Sequence, residues 1–123
     1  MGVYTQEELS EATRAIDSTR MKSEKAILKL KEGTAQYRLT ARGIAAYSLA
    51  LRLIAREQGE PQEAILYSKE SLEQAVEAFA FATARVKSVL QKFATGTPQH
   101  TLAVRRLRAF AIAQELLRRE IQE

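Results

Sequence analysis

The run Gly33-Thr34-Ala35-Gln36-Tyr37-Arg38-Leu39 returns as Gly96-Thr97-Pro98-Gln99-His100-Thr101-Leu102, a 63-residue offset. Carried along the chain without a gap, that offset gives 17 identities in 60 aligned pairs. Among them are Tyr4 with Tyr67, Leu9 with Leu72, Ala12 with Ala75, Arg42 with Arg105, Leu53 with Leu116 and Arg56-Glu57 with Arg119-Glu120. Self-similarity at a fixed offset marks one supersecondary unit used twice. Repeat one covers residues 4–60 and repeat two residues 67–123, within a single domain of residues 1–123.

Each unit reads as a helical hairpin. Thr5 precedes Gln6, Glu7 and Glu8, which sets up a capping box at the start of a helix. Leu9, Ala12, Ile16, Thr19, Ser23, Ala26, Ile27 and Leu30 then recur at spacings of three and four, a stripe about 26 residues and roughly 40 Å long. Gly33 stands where a left-handed residue ends a helix, and Thr34 where the next one is capped. In repeat two Pro98 occupies the first helical position, where its missing N–H costs nothing. The second helix presents Leu39, Arg42, Ala46, Leu49, Ala50 and Leu53, and runs to a break at Gly59-Glu60-Pro61. Gln62 to Leu66 can add a turn before Ser68, the counterpart of Thr5. The third helix carries Leu72, Ala75, Phe79, Val86, Val89 and Phe93, and the fourth Leu102, Phe110, Ala113, Leu116 and Leu117. The expected fold is all-α: an antiparallel up-down-up-down four-helix bundle made of two repeated αα-hairpins, with both Gly-Thr turns at one end. The other arrangement of the same contacts pairs hairpins of two molecules as a swapped dimer.

Composition narrows the setting. Cysteine is absent, which removes disulfides, thiol nucleophiles and thiolate metal sites. Residues 44–55 are the longest apolar-rich stretch, too short for a bilayer span and interrupted by Arg52. The expectation is a cytoplasmic protein with no membrane partner. The sequence offers no Glu-x-x-His pair, zinc-ligand cluster, nucleophile with a His partner or glycine-rich phosphate loop. No enzyme, no cofactor and no metal are expected.

Charge supplies the functional clue. Residues 22–42 and 85–108, flanking the Gly-Thr turns, hold twelve Lys and Arg against Glu24 and Glu32, a net +10, while the remainder carries −6. Helix N-termini at the same end add outward N–H groups, so an anionic ligand is favoured there. The alternative is a solvated basic face, since cations suit the last turns of helices one and three. Gln36 and Gln99 recur in the first turns, as caps or as contacts. Arg42 and Arg105 recur beside the apolar stripe, with stems expected along the core and heads either at the basic end or bonded to a turn carbonyl. His100 replaces Tyr37 and cannot form a site alone. The candidate binding residues are Gln36, Arg38, Arg42, Gln99, His100, Arg105 and Arg106. The partners expected at the Gly-Thr end are nucleic acid or an acidic protein. A second reading is a protein-interaction or self-assembly module, a homodimer for example, using exposed parts of Ile44, Tyr47, Leu51, Phe110 and Leu117.

Met21-Lys22-Ser23-Glu24-Lys25-Ala26, then Leu30, Gly33-Thr34, Gln36 and Arg42, with Tyr4-Thr5, Glu7-Glu8-Leu9 and the run from Gly96 to Leu102, resemble a set of small tandem-repeat helical proteins of Gram-positive bacteria. The resemblance spans nearly the whole chain and implies the repeated fold. It implies no activity and no site. Where those proteins carry Gln-His-Thr-Leu in both turns, repeat one here reads Gln36-Tyr37-Arg38-Leu39.

Overall fold

A computed structural model describes residues 3–61 and 67–123. They form four helices, α1 (Gln6–Ile27), α2 (Ala35–Glu57), α3 (Lys69–Leu90) and α4 (Pro98–Gln122), and no strand among the described residues. α1 and α3 begin and end sixty-three residues apart. The expected turn of helix over Gln62 to Leu66 lies outside the described residues. Among those described, no helix is long and apolar enough to cross a membrane.

All four helix starts are capped by hydroxyls. Thr5 Oγ1 accepts from the Glu8 amide at 3.0 Å while Glu8 Oε1 accepts from the Thr5 amide at 2.8 Å, a complete capping box. Ser68, Thr34 and Thr97 accept from the amides of Ser71, Tyr37 and His100. Each such bond satisfies an orphan donor and stabilises its helix by about 1 kcal/mol.

The Gly-Thr connection is longer than the minimal turn expected. α1 ends at Ile27, six residues before Gly33, and α3 ends at Leu90. Apolar Leu28 and Leu30 continue the sequence period, but the chain there turns by short-range bonds, Lys29 to Ala26 and Leu30 to Ile27. Gly33 instead sits third in a hydrogen-bonded turn closed by Thr34 N donating to Lys31 O at 3.3 Å. Its φ of 88° is what a type II turn requires at that position, and Gly96 repeats this with φ 92° in the turn from Ala94 to Thr97. Thr34 and Thr97 serve both sides of the junction, each hydroxyl accepting from the new helix and donating at 2.8 Å to the carbonyl that opens the turn. The left-handed helix stop occurs at Gly59, φ 86°, where Gly59 N bonds Arg56 O and Glu60 N bonds Ala55 O in a Schellman motif ahead of Pro61.

α1 packs on α2 and α4, and α3 on α4 and α2. α2 also touches α4 across the middle, whereas α1 and α3 do not meet among the described residues. These contacts join the two hairpins within one chain. Alanines at the crossing, Ala46, Ala50, Ala109 and Ala113, are all buried and allow the close approach. The core lies away from the Gly-Thr turns: Leu9, Ala12 and Ile16 of α1, Leu72, Ala75 and Phe79 of α3, and the distal halves of α2 and α4. Tyr47, Phe79 and Phe110 close it in an aromatic cluster. That end is also tied by polar bonds: Tyr4 donates to Glu115, Tyr67 to Glu120, Arg56 pairs with Glu120, and Arg119 pairs with Glu57 at 3.4 Å.

Toward the Gly-Thr turns the helices separate. Leu39 and Leu102, expected to face the core, are 51% and 44% exposed, and Val89 is 42% exposed. Thr19, Ser23 and Thr40 interrupt the stripes here, and the twelve clustered cations repel one another within a Debye length of about 10 Å at 0.1 M salt, so closure gains little burial and costs electrostatic energy. The expectation that Tyr47, Phe110 and Leu117 expose parts of their surface is not met. Tyr47, Phe110 and Leu117 are buried in the core, leaving only Ile44 and Leu51 half-buried.

Candidate binding cleft at the basic end

The separation leaves a cleft of about 560 Å³ between the four helices, floored by Tyr47 and Phe110. Apart from Leu102 and Arg106, its lining falls into pairs related by the offset: Thr19 with Ala82, Lys22 with Arg85, Ser23 with Val86, Ala26 with Val89, Leu30 with Phe93, Gln36 with Gln99, Thr40 with Ala103 and Tyr47 with Phe110. Both members of each pair line the same cleft, but most differ in chemistry. α1 contributes Thr19 and Ser23 where α3 contributes Ala82 and Val86, so, the cations Lys22 and Arg85 aside, the α1 side is the more polar and the α3 side the more apolar. A second cleft of about 570 Å³ adjoins it between α2 and α3, sharing Gln36, Tyr47 and Arg85 and adding Leu39, Arg42 and Phe81.

The cations divide into two groups. Lys22, Arg85 and Arg106 line the central cleft, which has no acidic lining residue among those described. Arg106 is half-buried, and its Nε is buried without a hydrogen-bond partner among the described residues. Arg85 lies with its guanidinium carbon 6.0 Å from the Phe81 ring centroid. Burial pushes the Tyr47 phenol upward, and the positive charge of Arg85 opposes that rise. The remaining cations are exposed around the turns. None of the four ion pairs among the described residues uses one of these twelve cations: they join Arg20 with Asp17 and Glu24, Arg56 with Glu120, and Arg119 with Glu57.

Of the candidate residues, Gln36, Gln99 and Arg106 come together in the central cleft, and Arg42 lines the adjoining one. Neither glutamine amide bonds another described residue, so the expected capping by those side chains is not seen. Arg38 folds back, its Nη1 donating to Gly33 O at 2.7 Å. His100 is half-buried outside the cleft lining, and its backbone amide serves the Thr97 cap. Arg42 and Arg105 are exposed and bond no turn carbonyl among the described residues, contrary to the expectation of stems laid along the core. The outward-facing positions next to Leu39 and Leu102 are exposed because those leucines are themselves uncovered. Lys22 and Arg85 were counted among the twelve cations but not singled out as candidate binding residues. The available signal was a basic residue at the same position of both repeats, which counting identities passes over.

No family model, curated protein or solved structure matches this chain.

Proposed function

We propose that the chain is a non-enzymatic binding or adaptor protein of the cytoplasm, an up-down-up-down bundle of two repeated hairpins that engages an acidic macromolecule, nucleic acid first among them, at its Gly-Thr end. The carrying observation is the set of twelve cations around the turns, none of them in an ion pair with a described acid. Eleven are exposed, so meeting phosphates costs them little desolvation. Each phosphate neutralised would release condensed counterions, which makes affinity fall steeply with salt. Fluorescence anisotropy with labelled duplex and single-stranded DNA and RNA, from about 50 to 200 mM salt, tests it. Binding whose logarithm falls linearly with log salt supports the reading; no binding at the lowest salt rejects the nucleic-acid form.

The exposed Leu39, Leu102, Phe81 and Val89 favour one further reading, a protein-interaction or self-assembly module with no nucleic-acid role. Light scattering across a concentration series tests its homodimer form, and a monomer throughout rejects that form.

A further inference from the structure

We propose that the central cleft is a binding site for a single-chain anionic amphiphile, its carboxylate or phosphate head held by Arg106, Arg85 and Lys22 and its hydrocarbon lying on the α3 wall. The inference goes beyond macromolecular binding and does not rest on it: of the twelve cations only Lys22, Arg85 and Arg106 line the central cleft, and the other nine lie outside it.

Three features of the cleft point to this chemistry. First, its charge has one sign: three cations and no carboxylate line it. An anion entering finds no competing acid. Second, the Arg106 Nε is buried and lacks an acceptor among the described residues. A buried N–H without a partner costs free energy in the empty protein, and an incoming carboxylate or phosphate oxygen removes that cost. Third, Val86 and Val89 of α3 and Phe93 just beyond it give the cleft an apolar side, where Val89 is exposed to solvent, as is Leu102 of α4. Inorganic phosphate satisfies the charges alone and a neutral hydrocarbon the wall alone; only a molecule with both parts uses the whole surface. The volume of about 560 Å³ falls within the roughly 300–1,000 Å³ of small-ligand sites, which suits one chain. Tyr47 and Phe110 block the inner end, so the ligand enters from the Gly-Thr side.

The asymmetry between repeats fixes its pose. Arg106 stands where repeat one has Gly43, and Val86 where it has Ser23. The apolar side and the buried Arg106 Nε therefore both come from repeat two, and the chain lies against α3 with its head toward α4.

Isothermal titration with laurate and with dodecyl phosphate, both below their micelle concentrations, tests the proposal, with dodecyl maltoside, inorganic phosphate and phosphatidylglycerol vesicles as comparisons. Saturable one-to-one binding of laurate or dodecyl phosphate is expected, the stronger of the two identifying the head group. The maltoside and inorganic phosphate should bind at least about tenfold more weakly, the loss of a charge-assisted contact or of the buried chain. Arg106→Gln and Val89→Asp should each weaken the amphiphile by a similar factor with helical circular dichroism unchanged. Should Arg106→Gln disturb the fold, the double variant Lys22→Gln/Arg85→Gln, at exposed positions, makes the same test. Equal binding of maltoside, affinity unchanged in the variants, binding to vesicles alone, or no binding would each overturn the site. Nucleic-acid binding is measured separately, and Arg42→Gln/Arg105→Gln is expected to leave laurate affinity unchanged, so the two readings fail independently.

Discussion

Tyr47 and Phe110, sixty-three residues apart, stack across the bundle with ring centroids 6.5 Å apart and planes inclined by 12°. Phe79 meets both, edge-on to Tyr47 at 5.3 Å and tilted against Phe110 at 5.6 Å. These rings are the last well-packed layer before the helices separate, so they support the core on one side and floor the cleft on the other.

Phe79→Ala is therefore expected to be among the most damaging single substitutions. The ring is fully buried, and its removal leaves a cavity between two other rings, costing about 3–5 kcal/mol. Denaturant unfolding measures it, and a loss below about 1 kcal/mol would mean the aromatic layer is not part of the cooperative core.

Glycines at Gly33 and Gly43 should respond in opposite ways. At Gly33 a Cβ meets nothing within 4 Å, but φ is 88°, so Gly33→Ala should cost about 1–2 kcal/mol from backbone strain alone. Gly43 lies inside α2, and a Cβ there meets the Tyr47 ring at 3.5–3.7 Å, an ordinary contact. Gly43→Ala should stabilise by about 0.5–1 kcal/mol through helix propensity. Thermal melts of the two variants check the opposed signs.

Replacing Arg42 and Arg105 together with Gln should leave the melting temperature near its original value, since both side chains are exposed and satisfy no buried group. If they meet phosphates, nucleic-acid affinity falls and the salt slope drops by about two. A marked loss of stability would contradict their exposure, and unchanged affinity and slope would remove them from the interface.

Alkaline pH should destabilise the protein through Tyr4. Burial and the hydrogen bond to Glu115 push its phenol from 10.0 to about 12 in the folded state. The folded form thus holds its proton more tightly than the unfolded chain. Stability from this group is complete below pH 10 and is lost as pH rises toward 12. Tyr4→Phe removes the titration, so urea midpoints of the two proteins, measured at pH 7, 10 and 11.5, should converge across the upper interval. A constant difference would place Tyr4 outside any coupling to Glu115.

The helix starts were legible because capping is local: Thr5, Ser68, Thr34 and Thr97 announce themselves within four residues. The helix ends were less so, since Leu28 and Leu30 keep the apolar period through a stretch that is already turning. What periodicity could not reveal was where the core stops. Leu39 and Leu53 look alike on one helix, yet Leu53 is buried and Leu39 half exposed, because only the distal halves of α2 and α4 come close enough to cover them. Arg106 was legible as a charge and not as a wall of the cleft, a role that depends on three other helices.

Because burial is concentrated at one end, amide hydrogen exchange should grade along each helix rather than between helices. Amides of Ala50, Leu53, Ala113 and Leu116, surrounded by core, should exchange only through global unfolding. Those of Lys25 and Lys87, in last turns with little packed against them, should exchange by local fraying at far lower free energy. Every helix would then carry a slow half and a fast half, with the fast halves gathered around the cleft. A ligand held there should slow exchange at the helix ends more than in the core.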